Sequence, residues 1–154
     1  MEDRTVTMTE IVLPNDTNPL GILLGGRLLY WMDIAAAICA QNHAGMVAVT
    51  VSIDSVSFEC PIRLGDVTYI IARLTRVFRT SLEIYVEVFK KETGAHTRQK
   101  ANEAYFTFVA LGGDGRPTAI EPIFPKNREE QMLFDAALGR RDTRKNKNKK
   151  DEPS

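Results

Sequence analysis

Two periods of apolar residues divide the chain. From position 28 to position 40 every residue is apolar, or nearly so, except Asp33. A helix with no polar face is a buried helix, and the pattern predicts one over residues 26–42, with Gly45 placed to close it. At 1.5 Å of rise per residue it runs roughly 25 Å. That is too short and too rich in small residues for a membrane span of about 20 apolar residues, and Asp33 interrupts it. Elsewhere the period is two. Strands are expected over residues 5–12, 46–53, 56–58, 67–74, 81–90 and 98–110. Residues 14–19, 64–66, 93–95 and 112–117 are loops or turns by composition. The short link over 76–80 makes a hairpin of the strands on either side. Residues 127–138 predict a short helix that packs through Met132, Leu133, Ala136 and Ala137.

The order is a strand, a buried helix and four strands in a meander. This is the α+β class, one long central helix wrapped by a curved antiparallel sheet of five to six strands. The expected organisation is one domain over residues 1–125, a short helix over 126–139 and a disordered basic tail over 140–154. A single curved sheet leaves one face and two edges free, which invites at least a dimer.

Composition adds limits. The 154 residues make one domain, with 44% hydrophobic residues and 20 basic side chains against 20 acidic. That balance is ordinary for a globular protein and argues against nucleic acid or a membrane as the main partner. The charge is segregated, however: residues 139–154 hold seven Lys and Arg against three Asp and Glu, with no apolar anchor. Such a segment reads as a solvated tail. The first ten residues lack the basic-then-apolar pattern of a signal peptide, so cytoplasmic residence is expected. Cys39 and Cys60 make neither a metal pattern nor a disulfide framework, which fits a reducing compartment. No metal-ligand cluster and no phosphate-binding glycine loop is present in the sequence.

Asp33 is the candidate for chemistry. An ionised carboxylate in a dry core costs several kcal/mol unless it is paired, hydrogen-bonded or used. A structural partner and a catalytic role both answer that cost. Gly25 and Gly26 at the helix start leave backbone N–H groups with nothing bulky over them, at the positive end of the helix dipole. They can polarise a carbonyl.

The run Leu13-Pro14-Asn15-Asp16-Thr17-Asn18, then Gly21, Gly25-Gly26 and Trp31-Met32-Asp33-Ile34-Ala35-Ala36-Ala37, resembles the hotdog-fold acyl-CoA thioesterases of the YciA-like and cytosolic acyl-CoA hydrolase group. The resemblance continues through Phe58 to Pro61, Leu64-Gly65-Asp66, Arg79-Thr80-Ser81 and Gln99-Lys100-Ala101-Asn102-Glu103-Ala104, and covers residues 5–117. It implies hydrolysis of an acyl-CoA thioester to free acid and CoA, with no cofactor or metal beyond the CoA of the substrate. It also implies active sites at a dimer interface, with dimers assembling as trimers of dimers.

In that resemblance Asp33 is the general base or the nucleophile, and the Gly25 and Gly26 N–H groups stabilise the oxyanion. One departure stands out. Many relatives carry a polar Asn or Asp between the Gly21 position and the glycine pair, where this chain has Ile22. Either Asn18, four residues earlier, takes over its role, or the enzyme is weak. Arg79, Thr80, Ser81, Arg98 and Lys100 correspond to segments that line the CoA nucleotide groove. Arg98 and Lys100, two apart, share a strand face, and a solvated edge is their plain alternative. His43 at the helix end and His96 in a turn do not suit the dehydratase branch of the fold. Three functions follow from the resemblance: an acyl-CoA hydrolase, an acyl-CoA-binding sensor or structural subunit, and a thioesterase for another pantetheine conjugate.

Overall fold

The computed structural model describes residues 4–151. They form five strands, two α-helices and a short 3-10 turn at Pro14–Asp16. The strands are β1 (Thr5–Ile11), β2 (Val47–Phe58), β3 (Val67–Val77), β4 (Ser81–Lys91) and β5 (Gln99–Leu111); the helices are α1 (Gly25–Ala44) and α2 (Arg128–Asp151). All pairings are antiparallel, in the order β1-β3-β4-β5-β2. With α1 laid across one face, this is the hotdog arrangement.

The sheet is not the expected four-strand meander. Only β3, β4 and β5 follow one another; β2 lies at the far edge against β5. The connection after β2 passes the start of α1 instead of turning back. It is fixed there by Leu23 N–H to the Ile62 carbonyl at 2.8 Å and Leu64 N–H to the Gly21 carbonyl at 2.9 Å, with Ile62 buried. The two short strands expected over 46–53 and 56–58 are one strand, β2, with register shifts between Thr50 and Ser52 and between Asp54 and Ser57. Ser55 sits in the second shift with φ of 53°. The left-handed backbone of a bulge there re-aims the strand rather than ending it.

α1 packs on the sheet through one stripe, Leu28, Trp31, Met32, Ala35, Ala36, Cys39 and Ala40. Its alanines keep the helix close to the apolar inner positions of the strands, among them Ile70, Ala72, Ile84, Val86, Phe106 and Phe108, all fully buried. Gly45 closes the helix as expected, with φ of 67° and its N–H on the Gln41 carbonyl. The helix is not buried all round, however. Tyr30 and Ile38 are exposed, and so are Val47, Val49 and Val51 on the edge strand beside it. The β2 edge of the single chain therefore exposes apolar side chains on both sides of the sheet, those of α1 on the helix side and Val47 and Val49 on the other.

α2 departs most from expectation. It runs to Asp151, well past residue 139, and residues 152–154 lie outside the described residues. Its inward positions are Leu133, Phe134, Ala137, Arg140, Arg141 and Arg144, whereas Met132 and Ala136 are exposed. The stripe keeps a helical period but changes from apolar residues to arginines halfway along. Arg140 forms a two-pronged pair with Glu83 (2.9 and 2.6 Å) and lies 3.7 Å from the Tyr105 ring centre. Burial opposes the charge on Arg140, but the Glu83 carboxylate overrides it and holds the guanidinium above its ordinary pKa. Arg144 reaches Asp54 at 3.3 Å. Arg76 donates to the Phe134 carbonyl and stacks on that ring. Guanidinium groups lying on aromatic faces, with carboxylates meeting those of Arg140 and Arg144, supply the anchor that composition did not reveal.

Candidate active site

Asp33 lies in the third turn of α1, on the side facing β2. It is half-buried rather than enclosed, and its Oδ1 accepts a hydrogen bond from the Thr50 hydroxyl at 2.6 Å. Thr50 is exposed on the edge strand, on the side of the sheet that carries α1. A short bond to one oxygen fixes the carboxylate plane and leaves Oδ2 for a water or a carbonyl carbon. Sequence reasoning missed Thr50. The only trace is a hydroxyl within the otherwise apolar Val47-Ala48-Val49-Thr50-Val51, and no local pattern pairs it with a helix seventeen residues away.

The first turn of α1 presents open donors. Its first intrahelical bond is Leu28 N–H to the Leu24 carbonyl, and the Leu24 side chain provides no cap. The N–H groups of Gly25, Gly26 and Arg27 precede that bond. Arg27 reaches Asp16 at 3.3 Å, which tethers the preceding loop to the helix. Beside this turn a cavity of about 310 Å³ is lined by Ile22, Leu23, Gly25, Leu28, Phe58 and Cys60. Asp33 stands about 12 Å along the axis from Gly25 at 1.5 Å per residue. One chain thus separates the carboxylate from the glycine donors by far more than the reach of one carbonyl.

Asn18 is built into the loop before α1. Its Oδ1 accepts from the N–H groups of Leu20 (2.9 Å) and Ile22 (3.1 Å), and its own N–H donates to the Ile22 carbonyl. The carbonyl oxygen is used for the turn, so Nδ2 is the atom left to face outward. Ile22 lines the cavity with its apolar side chain.

The five CoA candidates do not form one cluster. Arg79 and Thr80 lie in the β3–β4 turn and Ser81 opens β4; the Thr80 carbonyl accepts from Ala110 N–H and the Arg79 carbonyl from Ile120 N–H. Ser81 pairs with Val109, whereas Lys100 pairs with Phe89 at the other end of the same strands. Eight residues of strand put the two groups about 26 Å apart. Arg98 is exposed and covers the Phe89 and Tyr69 rings at 4.8 and 5.4 Å.

Lys100 sits in a network on the outer sheet face. Its Nζ lies 3.0 Å from Glu103, 3.3 Å from Glu87 and 3.2 Å from the Tyr85 hydroxyl, and that hydroxyl also bonds Glu103. Burial works against the ammonium, but its bonds to Glu103 and Tyr85 outweigh it and raise the Lys100 pKa. Burial, then the bond to Glu103, raises Tyr85. Burial would raise Glu103, yet the Tyr85 and Lys100 bonds prevail and lower it. Two carboxylates balance this cation, as a structural pair requires. Among the described residues no group of three or more His, Cys, Asp and Glu is arranged to hold a metal ion, and no helix is long and apolar enough to cross a membrane.

The thioesterase superfamily profile matches residues 20–95. The chain is 36% identical over 146 residues to an uncharacterized acyl-CoA thioester hydrolase, YkhA, of Bacillus subtilis, covering 95% of this chain and 85% of that protein. Its fold superposes with a TM-score of 0.90 on an apo hexameric acyl-CoA thioesterase, at 35% identity, with 94% of this chain and 93% of that one covered. An acyl-CoA hydrolase of Staphylococcus aureus, solved with butyryl-CoA, CoA and CoA disulfide, gives a TM-score of 0.87 at 32% identity over 96% and 92% of the two chains. That enzyme has also been solved with alanine in place of an aspartate, of an asparagine and of a threonine. The chain belongs to the thioesterase superfamily.

Proposed function

We propose that the protein is an acyl-CoA thioester hydrolase whose catalytic carboxylate is Asp33. The observation that carries the reading is the Asp33–Thr50 pair. In the Staphylococcus enzyme the altered asparagine, aspartate and threonine are spaced by fifteen and seventeen residues, and Asn18, Asp33 and Thr50 repeat both intervals. Asn18, rather than a residue at the Ile22 position, then supplies the polar side chain, through Nδ2. Asp33 either removes a proton from water or attacks the thioester carbon itself; both need a carboxylate with one oxygen held and one free.

The site takes shape across two copies of the chain. The exposed apolar residues of α1 and β2 are the surface on which a second copy packs. That packing sets Asp33 and Thr50 of one copy against the loop of Asn18 and the glycine donors of the other. Gly25 and Gly26 N–H groups then stabilise the oxyanion formed on the thioester carbonyl. Arg79, Thr80, Ser81 and Arg98 are the groups offered to the CoA phosphates, also from different copies, while Lys100 contributes less because Glu87 and Glu103 already neutralise it. The further assembly is a trimer of dimers in the cytoplasm, and the reaction needs no cofactor besides the CoA of the substrate.

The test is thiol release from acyl-CoAs of short to long chain length, with wild type and Asp33→Asn side by side. Expected is turnover in the wild type and a fall of at least about 100-fold in kcat in the variant, the contribution of a positioned base. An Asp33→Asn protein that is folded and equally active would overturn the assignment.

A further inference from the structure

The inner face of the sheet is apolar along nearly its whole length, and the exception lies at one end. Beside the first turn of α1 the inner positions are Thr68, Lys90 and Asn102, all buried. Lys90 is accounted for: Nζ donates to the Pro61 carbonyl at 2.8 Å and lies 3.9 Å from Asp66. Asn102 is not. It is 0% exposed, and neither Nδ2 nor Oδ1 has a hydrogen-bond partner; the Thr68 hydroxyl is in the same condition. An amide brings two donors and two acceptor lone pairs. Buried atoms of that kind are met in native proteins by protein groups, water or ligand.

The register shows what lies next to this amide. Asn102 pairs with Val88 on β4 and with Phe58 on β2. Directly opposed residues project to the same face about 5 Å apart, so Asn102 and Phe58 stand side by side under α1. The Phe58 ring lines the cavity beside Gly25 and ends 4.0 Å from where a Cβ on Gly25 would stand. It is 61% exposed, and exposed side chains change rotamer within nanoseconds. Turning that ring aside joins the amide to the cavity that begins at the glycine donors.

We infer that Asn102 is a specificity-determining residue at the floor of this cavity, pairing with a neutral hydrogen-bonding group of the substrate; this rests on the thioesterase reading of the site. The group is neutral because an amide offers a donor and an acceptor but no charge, and Lys90 is already matched. An acyl-CoA has two sources of such a group: a hydroxyl or keto oxygen on the acyl chain, and the amides of the pantetheine arm.

The experiment compares butyryl-CoA, 3-hydroxybutyryl-CoA and acetoacetyl-CoA on wild type, Asn102→Leu and Asn102→Thr. Affinities for CoA and for the matching non-hydrolysable thioethers are measured by calorimetry. Leu removes the amide at similar volume, and with no buried amide left unpaired its melting temperature should hold or rise. Thr keeps a hydroxyl. If Asn102 reads the acyl chain, Asn102→Leu lowers kcat/KM about tenfold or more for the substituted esters and leaves butyryl-CoA unchanged, with partial recovery in Asn102→Thr. If it reads pantetheine, all three esters and free CoA weaken together. Ester ratios and CoA affinity within twofold of wild type in both variants would overturn the inference. Should the wild type hydrolyse no ester, only the thioesterase reading fails, and the thioether affinities still decide the role of Asn102.

Discussion

Replacing Arg140 with methionine tests whether α2 is fastened by charge. Glu83 is 2% exposed and takes two bonds from the Arg140 guanidinium and one from the Thr75 hydroxyl at 2.6 Å. Methionine keeps most of the aliphatic packing and removes only the counter-charge. Removing one partner of a buried pair costs about 3–5 kcal/mol, because the other charge stays behind. The lost cation on the Tyr105 ring adds up to about 1 kcal/mol. Against that, the Thr75 hydroxyl still donates to Glu83, so the net loss should lie at the low end, about 3 kcal/mol. In a domain of this size that is a melting-temperature drop of about 6–12 °C. Urea denaturation at pH 7 and fixed protein concentration measures it. Adding Glu83→Gln to Arg140→Met should recover much of the stability. A loss below about 1 kcal/mol, or a double variant no better than Arg140→Met, would refute the account.

Other outcomes follow from the same geometry. Thr50→Val should lower kcat by about 10- to 100-fold with little change in KM, since it removes a bond that orients a charged acceptor; steady-state kinetics show the split. Co-expressed Asn18→Ala and Asp33→Asn chains, each inactive alone, should regain about a quarter of wild-type turnover, because half of random dimers are mixed and carry one intact site; no recovery would place each site within one chain. Glu103 has a lowered pKa, so its contribution is present above the unfolded carboxylate value of 4.5 and is lost as pH falls through the lower folded value. Glu103→Gln should therefore flatten the acid limb of a melting-temperature profile below about pH 4.5 relative to wild type.

Local pattern made much of this molecule legible. The run around Asp33 marked α1, and period-two alternation marked every strand, because both are written in consecutive residues. The place of β2 against β5 was not legible: strand order is chosen by contacts between positions such as Ile53 and Phe106, which no window of sequence contains. Asp33 stood out as the lone charge in the apolar run over 28–40, but Thr50 did not, since a threonine in a strand is ordinary until its helix partner is known. Sequence also mistook the second half of α2 for solvated chain, because arginines there take positions that apolar residues usually hold. The spacing of the two groups of CoA candidates was not legible either: both flank β4 or β5, and only the register shows that one chain holds them at opposite ends.

Glu83 and Arg140 are fifty-seven residues apart, and that separation orders events during synthesis. A chain is made from its N-terminus, so β4 is synthesised before its guanidinium partner. Until α2 arrives, the Glu83 carboxylate is hydrated and the outer face of the sheet stays wet and soluble. Docking of α2 then sets Arg140 on Glu83 and Arg144 on Asp54. A chain cut short before Arg140 would leave the Glu83 carboxylate on that face without the cation that balances it.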